Sequence, residues 1–471
     1  MQQEAQRMVQ GLVADDGKAA IALWPVARSA LRTWRADRDA GWQAWLDRSA
    51  FAADLGSFVV LPDDGGAPGA VVVGLGDSPS LWSWAALQAT LPAGVYAVAS
   101  PLDAAAATEA ALGWALGAYA YARYRLAPSA RETPLLRLPR GADVERVRRT
   151  VEATFLARDL INCPAGELGP SQLAEAAAEL GRRHGATISV TVGADLLARN
   201  FPAIYAVGAA ALDPPRLIDL RWGDPARPKV TLVGKGVCFD SGGLNVKSLE
   251  SMRLMKKDMG GAAVVLGLAS MVMDARLPVR LRVLIPAVEN AISAGSYRPG
   301  DVVRTRKGLT IEIVNTDAEG RVILADALAE ADSEAPDLLI ECSTLTGAAK
   351  LALGNEVGSM FTPDDTLAAE LQAGSMRVHD PLWRMPLWAS YRKRIESHVA
   401  DLANMADGNY AGAITAALFL ESFIERTRSW VHLDMFAWND RAVPGRPVGG
   451  EATGMRALYE LLDSRFGTAD R

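Results

Sequence analysis

Short apolar runs bounded by turn residues recur along most of the chain and alternate with stretches of helical spacing. Few architectures accept that rhythm. In the first third the runs are Ala19–Trp24, Ser57–Leu61, Ala70–Val73 and Gly94–Val98, which read as buried strands. Helical stretches lie between and after them, at Trp42–Leu46, Leu81–Trp84 and Ala104–Arg125. A second series follows at Ile188–Val192, Ile204–Val207, Leu217–Leu220, Val230–Val233, Arg280–Ile285, Ile311–Val314, Leu338–Ile340 and Val431–Asp434, again with helices between. This predicts an α/β fold, with helices on both faces of a large mixed sheet in the second series. At 471 residues the chain exceeds one ordinary core, so two or three domains are expected.

Leu126–Ala142 carries three prolines and mixed charge without a clear period, as a linker or domain-crossing segment does. The reading is therefore an N-terminal α/β domain over 1–140 and a larger C-terminal α/β domain over 141–471, its mixed central sheet flanked by helices. Helical spacing resumes over Val144–Leu160 and again over Gln172–His184, with Ser171 as the expected N-cap. The tryptophans of the first domain read as core or helix–sheet packing, because aromatic side chains carry large buried area.

Lys and Arg number 49 against 55 Asp and Glu, a net charge of −6 that gives no global attraction to nucleic acid or anionic lipid. Three well-separated cysteines do not make a disulfide framework. No run reaches the ~20 apolar residues of a membrane span. The polar opening over residues 1–7 lacks a secretory pattern. A cytoplasmic protein with no membrane partner is expected.

Chemistry concentrates in three segments at strand ends, where α/β sheets place their sites. In Val233–Gly243, Lys235 and Asp240 sit among four glycines. Alone, such a segment is as well read as a structural turn. In the second, Asp258 precedes a Gly-rich apolar helix, where a capping role is the alternative. In the third, Asp317, Glu319 and Arg321 follow the run Ile311–Val314 and open a helix. Converging, the four acids would repel strongly unless compensated. Two divalent cations would cancel them, and such pairs activate water against a carbonyl or phosphoryl group. The acids alone permit a peptidase or a two-metal phosphatase. The four histidines show no i, i+4 zinc-binding pair, and Cys238 and Cys342 read as small buried residues.

The stretches Gly234-Lys-Gly-Val-Cys-Phe-Asp-Ser-Gly-Gly243, Met255-Lys-Lys-Asp-Met-Gly-Gly-Ala-Ala263 and Asn315-Thr-Asp-Ala-Glu-Gly-Arg321 resemble the signatures of the leucyl (cytosol) aminopeptidase family. Ala157–Asn162, Thr344–Ala348, Ala400–Asn404 and Tyr410–Ala416 agree, so the likeness covers about residues 145–465. The N-terminal domain resembles the family in position and general pattern only. The resemblance implies a dinuclear metallo-aminopeptidase with leucine-like preference. One metal site would take Lys235, Asp240, Asp258 and Glu319. The other would take Asp240, Asp317 and Glu319. The expected ions are Mn²⁺ or Zn²⁺, with Mg²⁺ and Co²⁺ as further candidates. Lys247 would be the charged catalytic lysine, and Arg321 would hold a bicarbonate acting as general base. Met255, Thr344 and Gly347 would surround the pocket for the N-terminal side chain. Where the family usually has proline after the catalytic lysine, this chain has Ser248. Peptide substrates and a homohexamer are implied as partners. The alternative, a non-enzymatic binding or assembly protein on the same scaffold, would be favoured by loss of Lys247 or Arg321, and both are present.

Overall fold

The computed structural model describes residues 9–63, 65–126, 133–408 and 410–467; the polar opening and the middle of the expected linker lie outside them. Contacts divide the chain into two units, Met1–Phe155 with Arg441–Val448, and Leu156–Asp440 with Gly449–Arg471. The division falls within the helix Val144–Asn162.

In the first unit six strands, β1 (Leu12–Val13), β2 (Ile21–Val26), β3 (Phe58–Pro62), β4 (Pro68–Gly74), β5 (Val95–Val98) and β6 (Leu135–Arg137), form one sheet in the order β1-β6-β5-β2-β4-β3. Only β3 runs antiparallel to its neighbour. The segment read as linker therefore supplies a strand, paired in parallel with both β1 and β5. A three-residue strand among prolines gives no periodic signal. The Ala-rich helix stops at Gly117, short of the expected Arg125. Trp24, Trp34 and Trp42 pack on one another at 5.8–6.3 Å with the Arg38 guanidinium over two of them, and Trp114 is buried in the other core cluster.

The second unit carries β7 (Thr187–Val192), β8 (Arg216–Trp222), β9 (Lys229–Gly234), β10 (Gly236–Asp240), β11 (Arg280–Asn290), β12 (Val302–Arg304), β13 (Thr310–Glu312), β14 (Leu338–Ser343), β15 (Gly358–Phe361), β16 (Leu382–Arg384), β17 (Leu402–Ala403) and β18 (Trp430–Asp434). Its main sheet has the order β16-β15-β18-β14-β9-β11-β8-β7, with β10 added on β11. β12, β13 and β17 form a separate small sheet. The helices Gly260–Asp274 and Glu319–Ser333 pack on β9, β11 and β14, and both are almost wholly buried. The sheet is mixed: β11 runs parallel to β9 and β10 but antiparallel to β8.

Three local readings differ from the structure for identifiable reasons. β11 continues five residues past the expected end, through Pro286, to Asn290. Proline is disfavoured inside a sheet for want of an N–H. Here it falls where β11 has left β9, at Leu284, and not yet met β10, at Ala287, while Leu217 of β8 stands opposite it on the other side. The helix after the expected Ser171 cap starts at Pro170, with Gly169 as N-cap; the Ser171 amide and hydroxyl both donate to Asp213 at 2.7 Å.

The run Ile204–Val207, read as a strand, belongs to the helix Pro202–Gly208. A short apolar run does not distinguish the two by periodicity. The helix is decided from outside: proline presets its first turn, and the buried Asp326 carboxylate accepts from the Ala203 and Ile204 amides at 2.8 and 3.2 Å. Its other oxygen accepts from the Arg306 amide at 2.7 Å. Replacing Asp326 by Ala leaves two buried donors and one part-buried donor unmet. We predict a loss of about 2–4 kcal/mol, at ~1–3 kcal/mol per abandoned buried group with partial hydration. A urea midpoint within error of the parent would contradict it.

Candidate metal centre

The site begins at the strand gap. β9 ends at Gly234 and β10 starts at Gly236, so Lys235 stands between two strands that pair with the same neighbour. Its amide donates to Cys342 O at 3.0 Å and its carbonyl accepts from Ala262 at 2.9 Å. The side chain is thereby fixed, 2% exposed, with its nitrogen 2.8 Å from both Asp258 Oδ2 and Glu319 Oε1.

β10 then delivers Asp240 to the edge of the sheet. Its Oδ1 accepts from Asn290 Nδ2 at 2.8 Å and from the Gly242 amide at 2.9 Å, and its Oδ2 lies 2.7 Å from Lys247 Nζ. The same nitrogen lies 2.5 Å from Asp317 Oδ1. The turn that brings Lys247 back requires glycine at Gly242: φ is +88°, and a Cβ there would lie 2.4 Å from Asn245 O.

Asp258 lies in the one-turn helix Met255–Met259, and its carboxylate does not cap the helix that follows. Instead it accepts from Thr344 Oγ1 at 2.7 Å and faces Lys235. The capping alternative is thus excluded.

Asp317 and Glu319 come from the loop after β13. One carboxylate oxygen from each of Asp240, Asp317 and Glu319 lies within 4.8 Å of the others. Gly320 lets Lys235 pass: a methyl group there would lie 2.5 Å from Lys235 Cε and 2.7 Å from Nζ. The helix opened by Glu319 also carries Arg321, whose buried Nε has no hydrogen-bond partner among the described residues.

Four carboxylates therefore meet two ammonium groups at ion-pair distance, and burial together with mutual repulsion shows in their titration. Burial first, then the charge of Asp240, pushes Glu319 up to about 8 and Asp317 up to about 6. Asp258 goes the other way: burial would raise it, but Lys235, Lys257 and Lys247 hold it below its ordinary value. For both Lys235 and Lys247, burial works to lower the value and is overridden by neighbouring acids, Asp240 among them. Burial lowers Arg321 to about 10 and Lys257 to about 8, so both remain cationic at neutral pH.

This donor set fits divalent cations. Asp258 Oδ2, Asp317 Oδ1 and Glu319 Oε1 are buried and receive no well-directed hydrogen bond, although a lysine nitrogen is close to each. Hard oxygens with excess negative charge are what Mg²⁺, Mn²⁺ and Zn²⁺ accept, and Lys235, once neutral, adds a nitrogen donor.

The matched segments can be compared with known proteins on this basis. A model described as the cytosol aminopeptidase family, catalytic domain, matches residues 155–459, and one described as the M17 aminopeptidase N-terminal domain matches residues 21–139. The chain belongs to the cytosol aminopeptidase family. Its N-terminal unit is included in that match, beyond the general likeness legible from its sequence. As a member of the family the protein is a metallo-aminopeptidase, a peptide hydrolase. A probable cytosol aminopeptidase of Syntrophotalea carbinolica is 44% identical over 327 residues, which is 69% of this chain and 65% of the relative. One of Geobacter sulfurreducens is 39% identical over 420 residues, 83% of this chain and 84% of the relative. The crystal structure of the cytosol aminopeptidase from Coxiella burnetii superposes with a TM-score of 0.92 at 47% identity, covering 97% of this chain and 99% of that one. The bottromycin maturation enzyme BotP in complex with Mn superposes at 0.84 with 36% identity, covering 95% and 100%.

Sequence reading missed the residues that hold the ligands still. Asn290 bonds Asp240 and also donates to Thr316 O at 3.0 Å, an acceptor it shares with the Tyr297 hydroxyl at 2.7 Å. Asn404, wholly buried beside β17, accepts from the Val314 and Asn315 amides at 2.8 and 3.2 Å and donates to Asn315 O at 2.7 Å. Reading β11 to its end would have found Asn290, because it lies at the carboxyl end of a central strand. Nothing local marks Tyr297.

The Gly320 contact gives a direct test. Gly320→Ala should push the Lys235 side chain off its two carboxylates, lowering metal content and activity at least tenfold at limiting metal while the melting temperature changes little. Normal metal stoichiometry at parent affinity would show that Lys235 accommodates the methyl group and does not depend on this approach.

Proposed function

We propose that the enzyme releases N-terminal residues from peptides, with leucine-like side chains accepted, at a dinuclear centre. The observation that carries the reading is the pairing of two lysines, one buried and one half-buried, with four acids, Lys235 between Asp258 and Glu319, and Lys247 between Asp240 and Asp317. We assign Lys235, Asp240, Asp258 and Glu319 to one ion and Asp240, Asp317 and Glu319 to the other. Two divalent ions, when bound, would supply an activated bridging water and a Lewis acid for the scissile carbonyl. The manganese complex of BotP favours Mn²⁺ first, with Zn²⁺ next and Mg²⁺ and Co²⁺ as further candidates.

The protein's own contributions follow from charge and burial. Lys247, on a loop and not a ligand, brings an ammonium to the negative charge that develops on the substrate carbonyl oxygen. Arg321 presents an unpartnered guanidinium donor suited to a small anion. Bicarbonate is the anion we assign to it, as general base. Met255, Thr344 and Gly347 are assigned to the side-chain pocket. Thr344 is tied to the centre by its bond to Asp258. We further propose a cytoplasmic homohexamer, which sedimentation would contradict by finding an active monomer.

Chelation should abolish aminoacyl arylamide hydrolysis, with Mn²⁺ refilling restoring it. Full activity in a sample shown free of metal would sink the two-ion mechanism. Asp258→Asn and Asp317→Asn should weaken different ions, read as different residual stoichiometries; equal loss of both ions in both variants contradicts the division of ligands.

Lys247→Ala should lower kcat by about 10²–10³ with a smaller change in KM and unaltered metal content, the usual scale for one oxyanion donor. Bicarbonate should stimulate the parent more than Arg321→Ala. A Lys247 variant with near-parent kcat, or equal stimulation of the Arg321 pair, shows those roles to be wrong.

A further inference from the structure

One buried cation beside the centre has no counterpart in the scheme above. Lys257 is 4% exposed, yet its ammonium donates no hydrogen bond among the described residues. Its neighbours are Asp258 Oδ1 at 4.0 Å and the Phe436 ring at 4.6 Å from the centroid. An ammonium in so enclosed a position gains most from a charged acceptor within bonding distance.

Asp258 does not fill that need. Its Oδ2 is taken by Lys235 at 2.8 Å and its Oδ1 by the Thr344 hydroxyl at 2.7 Å. Phe436 does not fill it either, since a ring face attracts a cation but accepts no directed bond of comparable strength. The same ring also carries the Lys350 ammonium at 3.7 Å, and Lys350 lies on the helix that begins at Gly347. Lys350 has its own carboxylate, Asp440, at 2.8 Å. Lys257 has only Asp258, at 4.0 Å and already engaged by Lys235 and Thr344.

The position of this ammonium tells what it meets. It shares Asp258 Oδ1 with Thr344, and it shares Phe436 with the helix of Gly347, so it lies among the residues assigned to the side-chain pocket. We propose that Lys257 makes this pocket selective for charge: a substrate whose N-terminal side chain ends in a carboxylate, glutamate foremost, is favoured over its uncharged counterparts glutamine and methionine. This rests on the aminopeptidase reading for where the substrate lies. The carboxylate supplies the acceptor that the chain withholds, in a buried setting where a charge-assisted bond is strongest. The carbon stem of glutamate meets the same Phe436 and Met255 surfaces as leucine would. Lys257 is thus a specificity residue and takes no part in bond breaking.

The test uses the metal-loaded enzyme and the Glu, Gln and Met 4-methylcoumarin-7-amides, with the parent, Lys257→Met and Lys257→Arg. In the parent, kcat/KM for Glu should exceed that for Gln at least tenfold. Lys257→Met should cut the Glu-to-Gln ratio by about 10–100-fold, the worth of one charged partner, and Lys257→Arg should keep most of it. A Glu-to-Gln ratio near one in the parent overturns the proposal. So does a uniform fall on all three substrates in Lys257→Met with the ratio unchanged, which is what a purely structural lysine would give. A second readout does not need turnover: free L-glutamate should raise the parent's melting temperature more than L-methionine does, and Lys257→Met should erase that difference. If no amide is cleaved by folded, metal-loaded protein, the aminopeptidase reading fails. The glutamate shift and its loss in Lys257→Met then still support the anion-selective pocket, and their absence overturns it.

Discussion

Too much negative charge in too little water is the constraint from which the rest of this structure follows. Asp240, Asp258 and Glu319 are each at most 2% exposed, and Asp317 is half-buried beside them. Left to themselves, carboxylates so placed would protonate or drive the loops apart. Lys235 and Lys247 compensate part of that charge. The central strands, the glycines and the supporting amides then serve to hold six side chains at distances that the charges alone would not maintain.

The support is mostly backbone and amide chemistry. Asn290 and the Gly242 N–H aim Asp240, Asn404 clamps the turn after β13, and Asp434 accepts from the Leu345 and Thr346 amides at 3.0 and 3.1 Å, fixing the loop that carries Thr344. Asn290, Asn404 and the Gly242 amide are neutral. A neutral donor can orient an acid without cancelling the charge that a cation needs, so the geometry and the electrostatics are tuned by different residues.

Much of this is legible in the chain because the residues that do chemistry must follow strands. Lys235, Asp240, Asp317 and Glu319 all lie within a few residues of an apolar run, and the glycines between them advertise close approach. What escapes is whatever depends on a partner distant in sequence. Ile204–Val207 is helical partly because Asp326, 122 residues away from Ile204, accepts its amides. β6 is a strand because β1 and β5 flank it. Pro286 is tolerated because two other strands leave a gap at its level. None of these is written at the position itself. The burial of Lys257 is equally hidden, since nothing local distinguishes two adjacent lysines before an acid: Lys256 reaches Asn162 O at 2.6 Å, and Lys257 turns inward.

The two lysines of the centre stand on very different ground. Lys235 is bonded through its own backbone to β14 on one side and to the helix from Gly260 on the other, in the middle of the main sheet. Lys247 sits on a loop where Leu244, Val246 and Leu249 are exposed, 43%, 57% and 89% respectively. In hydrogen exchange the first amide should open only with the sheet, while the second follows local motion of the turn. The centre thus has a stiff wall and a compliant one. The stiff wall fixes where ions can sit, and the exposed wall is tied to the same acids through Lys247, Asp240 and Asp317.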